Sequence, residues 1–531
     1  MKPRIAVVTL AFCTALAPLS GCGSGTTAHE SSPPSGEPTT AAASRTPAPG
    51  KGSKDPDDIN GDGHRDLVVP IVVGGGEGAT DERVAVVYGS AKGLDPSTRT
   101  VYGRADLGLP EPGRQLLDPK GSLSSADLTT ADLDGDGFPD FVATVQGAMT
   151  SDDNVTAPRT LPYIAWGGPG GPTAKTSATP VQLPQSTTKL GIKSVVRGDF
   201  DGDGHHDLAG FAYNHSSMVV MYGPFTRSGA PARTDTSLPW ADGDLTADAI
   251  APSGTPRATS LLMHAVSDGE QSGNTLYTAH RGSQLSGTGR QLRSGNAHAF
   301  GDFDGDGQRD VAVGDDGSRN DEPGYETEPA DVDGSLAVYP GAGGAPVTYR
   351  LPEAPKSART PYGPGGYVSA DPDGDGRDGI LVGTYEGATL IDGTRRTTVL
   401  RDGPAAEDGR KIPATWRHAR PAGAADFDGD GTDELVLNWG ADAKFGTYGE
   451  DPTRWWITDG TTTANKTTFT TTAFAPRSSQ APRSSKRSGS IGLNRAQSAT
   501  SHSPSRIRSR PFSSLASRHA CTRCGRILKY R

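Results

Sequence analysis

Short apolar runs return along this chain at intervals that no helix would produce. One set, Leu67–Val69, Val311–Val313, Ile380–Val382 and Leu435–Leu437, follows clusters of aspartate and glycine. A second set, Val84–Gly89, Tyr163–Gly167, Met218–Gly223 and Leu336–Tyr339, comes after a variable polar stretch and closes on an aromatic residue, usually with glycine behind it. β-Branched and aromatic residues bounded by Gly, Asp and Pro are strand signals, and no run sustains a 3.6-residue period. Each unit therefore reads as a small antiparallel sheet. Such sheets are apolar on both faces and cannot stand alone in water. Set radially they would cover one another, so the expected fold is all-β, a seven-bladed β-propeller with one unit per blade.

The aspartate clusters share the form D-x-D-G-D-G-x-x-D, complete or partial seven times, beginning at Asp58, Asp132, Asp199, about Trp240, Asp302, Asp371 and Asp426. Carboxylates at positions 1, 3, 5 and 9, the carbonyl of position 7, and glycines at 4 and 6 that bend the backbone inward make the hard-oxygen cage that Ca²⁺ takes. Without a cation the charges would repel one another. The candidate ligands are Asp58, Asn60, Asp62, His64 and Asp66 in the first loop, and Asp132, Asp134, Asp136, Phe138 and Asp140 in the second. They are Asp199, Asp201, Asp203, His205 and Asp207 in the third, Asp302, Asp304, Asp306, Gln308 and Asp310 in the fifth, and Asp426, Asp428, Asp430, Thr432 and Glu434 in the seventh. His64, Phe138, His205, Gln308 and Thr432 would act through their carbonyls. The sixth loop offers Asp371, Asp373 and Asp375, with Gly379 at the ninth place and Asp378 one residue early. In the fourth, Asp242, Asp244 and Asp248 fit positions 3, 5 and 9, but Trp240 stands at position 1 and an empty site is expected.

An EF-hand opens in the same way, yet its position 12 is a bidentate Glu leading into a helix. Here position 12 is Val69, Ala143, Gly210, Val313, Val382 or Leu437, inside an expected strand. An aspartate loop that runs into a strand, repeated this often, resembles the FG-GAP repeats of the integrin α-subunit propeller and of many bacterial surface proteins. The resemblance covers roughly residues 55 to 470. It implies a seven-bladed propeller with Ca²⁺ in the hairpin between the first two strands of most blades. It selects no activity, because such propellers host unrelated ones.

Composition changes the picture at both ends. Lys2 and Arg4 precede an apolar stretch from Ile5 to Pro18, and Leu19, Ser20, Gly21 and Cys22 resemble the lipobox of bacterial lipoproteins. This implies a signal peptide over 1–22 and a lipidated Cys22. Residues 23–54 are Gly, Ser, Thr, Pro and Ala with almost no large apolar side chain, the composition of a disordered, flexible tether. The propeller is assigned to 55–475. From 476 to 531 there are thirteen Lys plus Arg and no Asp or Glu, so this tail carries +13 and the remainder, 39 basic against 62 acidic, carries −23. The tail is rich in Ser and Arg without periodicity and is expected to be disordered. Beyond the signal only Cys521 and Cys524 remain, too few for a disulfide framework and two ligands short of a zinc site.

These features predict an exported monomer, anchored to a membrane by lipid, that holds several Ca²⁺ ions and recognises a protein or glycan rather than nucleic acid. The alternative is a secreted hydrolase built on the propeller face. No Ser-His-Asp set, G-x-S-x-G elbow, H-E-x-x-H or P-loop occurs, and Gly74–Gly78 precedes no helical pattern, so no catalytic residue is assigned and a non-enzymatic role is expected. Arg197, Gly198 and Asp199 spell an integrin-ligand tripeptide, but Asp199 is better used as the first, inward-turned ligand of its loop. His206, at position 8, is expected to face solvent. Asp58 follows no strand-forming run, so the first blade is expected to lack its inner strand, and the Thr-rich run from Thr467 to Phe474 to pair in the last blade or at the closure.

Overall fold

The computed structural model describes residues 44–73, 81–113, 123, 128–152, 155–173, 176–265, 272–317, 331–353, 366–407, 409–440, 452–460 and 464–474. Cys22, Cys521, Cys524, the segment 74–78 and the tail from 476 lie outside them.

Seven antiparallel sheets, each hydrogen-bonded in chain order, form the blades of a propeller. Blade 1 comprises β1 (Leu67–Val73), β2 (Asp81–Val87) and β3 (Arg99–Tyr102). Blade 2 is β4 (Leu128–Ala131), β5 (Asp140–Asp152), β6 (Val155–Ala165) and β7 (Thr179–Pro180), and blade 3 is β8 (Val196–Gly198), β9 (Asp207–Phe211), β10 (Met218–Tyr222) and β11 (Arg233–Asp235). Blade 4 is β12 (Gly243–Ala247), β13 (Leu261–Ala265), β14 (Asn274–Tyr277) and β15 (Arg290–Leu292). Blade 5 is β16 (Ala297–Gly301), β17 (Asp310–Gly314), β18 (Ser335–Tyr339) and β19 (Val347–Arg350). Blade 6 is β20 (Tyr367–Ala370), β21 (Gly379–Thr384), β22 (Gly387–Asp392) and β23 (Arg395–Val399). After a small hairpin of β24 (Ala406–Glu407) and β25 (Arg410–Lys411), blade 7 is β26 (Arg420–Ala425), β27 (Glu434–Trp439), β28 (Arg454–Thr458) and β29 (Asn465–Thr470).

The doubly apolar strands are explained by what covers them. Side chains alternate across a strand, and each blade packs one face on its predecessor and the other on its successor. Leu208, Val219 and Met221 of blade 3 join Val142 and Ile164 of blade 2, while Ala209, Val220 and Tyr222 join Leu261 and Tyr277 of blade 4. The last interface returns to the first blade: Val69, Ile71, Ala85 and Val87 pack against Val436, Trp455, Ile457 and Phe469. Burying each such side chain is worth about 1.5–3 kcal/mol, so the ring closes through its core.

Among the described residues blade 1 has three strands, without an inner one, as its missing strand signal predicts. β1 therefore turns a free edge to the axis, beside a cavity of about 790 Å³ lined among others by Leu67, Val68, Pro70, Leu245 and Trp455. Pro70 suits an edge, where a missing N–H breaks no ladder. The first half of the Thr-rich run, Thr467–Thr470, lies in β29, the outermost strand of blade 7, and Thr471–Ala473 form a 3-10 turn; Thr467 Oγ1 donates 3.1 Å to the Leu94 carbonyl of blade 1.

Residues 44–54, assigned by composition to the tether, are laid along blade 1. Arg45 forms a parallel bridge with Thr98, and the amides of Gly50, Lys51 and Ser53 donate to the carbonyls of Asn60, Gly61 and Gly137. Backbone hydrogen bonds hold this strap, which composition does not register.

The fourth unit departs from the expected register. Asp244 is inside β12, opposite His264 on β13, and Asp248 follows the strand directly. Asp248 thus begins the turn between the first two strands, as Asp132, Asp199 and Asp302 do, instead of ending a loop from Trp240. Ladder pairing of five residues with β13 overrides the local resemblance to an aspartate loop.

Candidate metal centres on the loop rim

In blades 2, 3, 5, 6 and 7 the aspartate loop joins the first strand to the second, and in blade 1 it leads into β1. In blades 2, 3, 5 and 6 the carboxylates at positions 1, 3 and 5 each bring one oxygen within 4.8 Å of the others: Asp132, Asp134 and Asp136; Asp199, Asp201 and Asp203; Asp302, Asp304 and Asp306; Asp371, Asp373 and Asp375. The first carboxylate is also the loop's internal cap. Asp132 Oδ1 accepts from the amides of Gly135 and Asp136 at 2.9 and 3.1 Å, and Oδ2 from Gly137 at 2.9 Å. This requires φ of 74° at Gly135 and 88° at Gly137, a region in which a side chain would be strained.

The ninth residue has a different local task. Asp140 Oδ2 accepts from the Leu133 amide at 3.0 Å and Oδ1 from the Gly167 amide at 2.7 Å. Asp207 does the same with Phe200 and Gly223, Asp310 with Phe303 and Gly341, and Asp66 with Ile59 and Gly89. These buried carboxylates staple the loop to the turn after the blade's third strand, or after β2 in three-stranded blade 1. The glycine behind the aromatic residue, visible in the sequence, is the other half of the staple.

Burial pushes the carboxyls of Asp140 and Asp207 up to about 8 and those of Asp132 and Asp199 up to about 6; neighbouring carboxylates add to the effect and backbone amides offset part of it. Several acidic groups are thus gathered where ionisation is costly unless a cation is shared. The first loop answers the same test differently. Asn60 is buried with its Nδ2 donating to Ala48 and Asp62, and its Oδ1 has no partner, an orphaned acceptor beside the buried Asp58. The chemistry fits a hard divalent ion.

Basic side chains reach some of these loops. Arg227 pairs with Asp134 and Asp136, Arg233 with Asp201, and Arg395 with Asp373. Among the described residues no basic group pairs with Asp304 or Asp306. In blade 4 two guanidiniums take the place of a cage: Arg257 and Arg309 both pair with the buried Asp248.

Position 8, expected to face solvent, instead clamps neighbouring blades. His206 is buried, and its Nδ1 accepts from the Asp132 amide of blade 2 at 2.8 Å. Burial, with Arg197 nearby, holds its imidazole down to about 4, consistent with an accepting, neutral ring. Asp378 accepts from the Asp302 amide at 2.7 Å and Asp433 from the Asp371 amide at 2.9 Å, while their own amides donate to the Asp302 and Asp371 carbonyls. Thr259 serves Asp199 in the same way. Asp378 is therefore occupied by the preceding blade, and the sixth loop, with Gly379 at position 9, lacks the staple.

The loops also meet edge to edge. A Cβ on Gly135 would lie 3.7 Å from the His205 ring, and in the same manner Gly61 faces Phe138, Gly202 faces Ala258, Gly305 faces Arg377, Gly374 faces Thr432 and Gly429 faces His64. With the Arg309–Asp248 pair between blades 4 and 5, every junction is bridged and the loops form one continuous rim.

Near the axis, Arg197 reaches both oxygens of Asp57 at 2.7 Å and the Thr130 carbonyl at 2.8 Å. Burial alone would raise the Asp57 carboxyl, but the Arg197 guanidinium, with Arg65 nearby, brings it to about 2. A carboxylate so paired is neither acid nor base near neutrality. The tripeptide containing Arg197 is likewise used internally: its guanidinium is in this pair and Asp199 is buried in its loop.

A ring of antiparallel meanders, most of them four-stranded and carrying acidic loops on one rim, defines a β-propeller with a metal-competent rim. Residues 132–210 match the model of the FG-GAP-like repeat, and the chain as a whole is a seven-bladed β-propeller that contains this repeat. No curated protein matches the chain. Solved structures similar to it include BBS1N in complex with ARL6DN, at 12% identity and TM-score 0.34, covering 77% of this chain and 91% of that one. The V. cholerae biofilm matrix protein Bap1 is similar at 12% identity and TM-score 0.25, covering 76% and 88%. The PQQ-bound aldose sugar dehydrogenase of Streptomyces coelicolor is similar at 15% identity and TM-score 0.22, covering 51% and 92%. Likenesses this distant carry nothing about activity. No helix of the described residues is long and apolar enough to cross a membrane.

Proposed function

We propose that the protein is an extracytoplasmic, lipid-anchored recognition or adhesion module whose rim holds Ca²⁺ and binds a protein or glycan. Cys22 carries the lipid, the following segment is the tether, and the propeller acts as a monomer. Asp132, Asp134 and Asp136, with the matching residues of blades 3, 5 and 6 and with Asp58, Asn60 and Asp62 of blade 1, hold the ions. When bound, calcium supplies the charge that lets the clustered carboxylates ionise together. The observation that carries this reading is the continuous rim, on which acidic loops abut around the ring and present one broad polar surface.

The test is retention of the full chain on immobilised cell-envelope glycans and surface proteins, in calcium and in chelator. Retention in calcium that is lost in chelator, and lost when Asp134→Asn is combined with Asp201→Asn, is expected. Binding indifferent to both would remove the rim from the function. Cys22→Ser should shift the protein out of the membrane fraction, and lipid labelling that persists in that variant would overturn the anchor.

A further inference from the structure

The seventh loop differs from the others at its ninth position, and a lysine answers the difference. Glu434 has one methylene more than the aspartate found there in blades 1, 2, 3 and 5. It still staples its loop, Oε2 accepting from the Phe427 amide at 2.9 Å, but its other oxygen reaches the cage: here the converging atoms belong to Asp426, Asp428 and Glu434. Lys466 on β29 points at the same place. Its Nζ is 2.8 Å from Asp428 Oδ2, bonds to Glu434 Oε1, and lies 3.7 Å from Asp430 Oδ2. Arg227, Arg233 and Arg395, themselves 53, 41 and 57% exposed, pair with carboxylates at positions 3 and 5, whereas Lys466, 31% exposed, also bonds to a ninth-position glutamate that is 1% exposed.

We propose that the ammonium of Lys466 is the resident cation of blade 7, standing where Ca²⁺ stands in the complete loops, so that the blade which closes the ring needs no metal. The inference rests on the calcium reading of the other loops. An ammonium suits the place: a compact point charge with three donors meets three carboxylates, and it arrives on a strand already fixed by the ladder to β28. Blade 4 offers a precedent, since Arg257 and Arg309 neutralise Asp248 there. The location gives the substitution a purpose. Lys466 precedes Thr467, whose hydroxyl donates to the Leu94 carbonyl of blade 1, so the lysine secures the strand that spans the seam. Blades 1, 2, 3, 5 and 6 then respond to calcium, while the strand that spans the seam stays fixed without it.

The test counts calcium ions per chain, by equilibrium dialysis with metal analysis, in the full-length protein and in three variants. Asp304→Asn should lose one ion, Asp428→Asn should lose none, and Lys466→Met should gain one. Hydrogen exchange of β29 should be indifferent to chelator in the wild type and sensitive to it in Lys466→Met. Loss of an ion in Asp428→Asn overturns the proposal even where Lys466→Met fails to fold, and so does an unchanged ion count in a folded Lys466→Met. A wild-type chain that takes up no calcium refutes the metal reading itself, and the inference with it.

Discussion

Blades 3 and 4 are neighbours with the same four-stranded meander, and they differ in what neutralises the carboxylate that follows the inner strand. In blade 3 Asp199 is capped by loop amides and joined by Asp201 and Asp203, an arrangement that draws a cation from solution. In blade 4 Asp248 meets Arg257 and Arg309, which the chain supplies itself. The two blades nevertheless pack on each other through one continuous apolar cluster. Strand pairing and interblade packing specify the propeller, and charge balance at the turn is a separate problem that each blade solves with its own means.

The comparison breaks most sharply at Arg309, which pairs with Asp248 and Asp378 and donates to the Phe300 carbonyl. Arg309→Met should cost about 3–5 kcal/mol, as removal of one partner from a buried ion pair does. Denaturant titration should give the same loss in calcium and in chelator; a loss under about 1 kcal/mol would mean that Arg257 suffices alone. The next effect is at the staple of blade 3. Asp207→Ala leaves the buried amides of Phe200 and Gly223 without acceptors, for about 2–4 kcal/mol in either condition. A loss that appears only in calcium would make Asp207 a ligand and not a staple.

Asp304→Asn sharpens the comparison from the other side, because among the described residues no basic group pairs with Asp304. In calcium at tenfold excess over its dissociation constant the variant should lose about 1.4 kcal/mol, and in chelator almost nothing. Equal losses in both would assign the loop to packing alone.

The smallest expected effect is that of pH on the metal-free protein. Asp140 and Asp207 titrate at about 8 in the folded chain, pushed up by burial, against about 3.9 when unfolded. Between those values the folded state binds the extra protons, so stability should rise as pH falls. His206 has the opposite sign: it titrates at about 4 when folded and about 6.5 when unfolded, and costs stability below 6.5. The melting temperature in chelator should therefore climb from pH 8 to pH 6.5 and climb less steeply below that. In calcium the climb should shrink or reverse, since protons compete with the ion. A metal-free protein indifferent to pH over this window would contradict the buried carboxylates.

What the sequence disclosed was whatever has a short period. Val311–Val313 and Ile380–Val382 fall inside β17 and β21, and the D-x-D-G-D spacing brings the three carboxylates of Asp302, Asp304 and Asp306 together as the loop geometry requires. Relations between blades were hidden. His206 clamps Asp132 and Asp378 clamps Asp302 across separations of 74 and 76 residues, so each reads locally as a spare polar side chain. The pairing of Asp57 with Arg197 spans 140 residues and leaves no local trace. The fourth loop misled for the converse reason: the residues from Trp240 to Asp248 imitate the motif, while pairing with Leu261–Ala265 assigns five of them to a strand.

The strap at the N-terminus decides where a mechanical load would enter the ring. Tension applied ahead of residue 44 is delivered first to Arg45 and its bridge to Thr98, then to the amides of Gly50, Lys51 and Ser53 lying on the Asn60, Gly61 and Gly137 carbonyls. Behind them stands blade 1, with three strands among the described residues, and the partner of blade 7 at the seam. A pull from that end thus meets the backbone bonds of the strap before it reaches the apolar interface between blades 1 and 7.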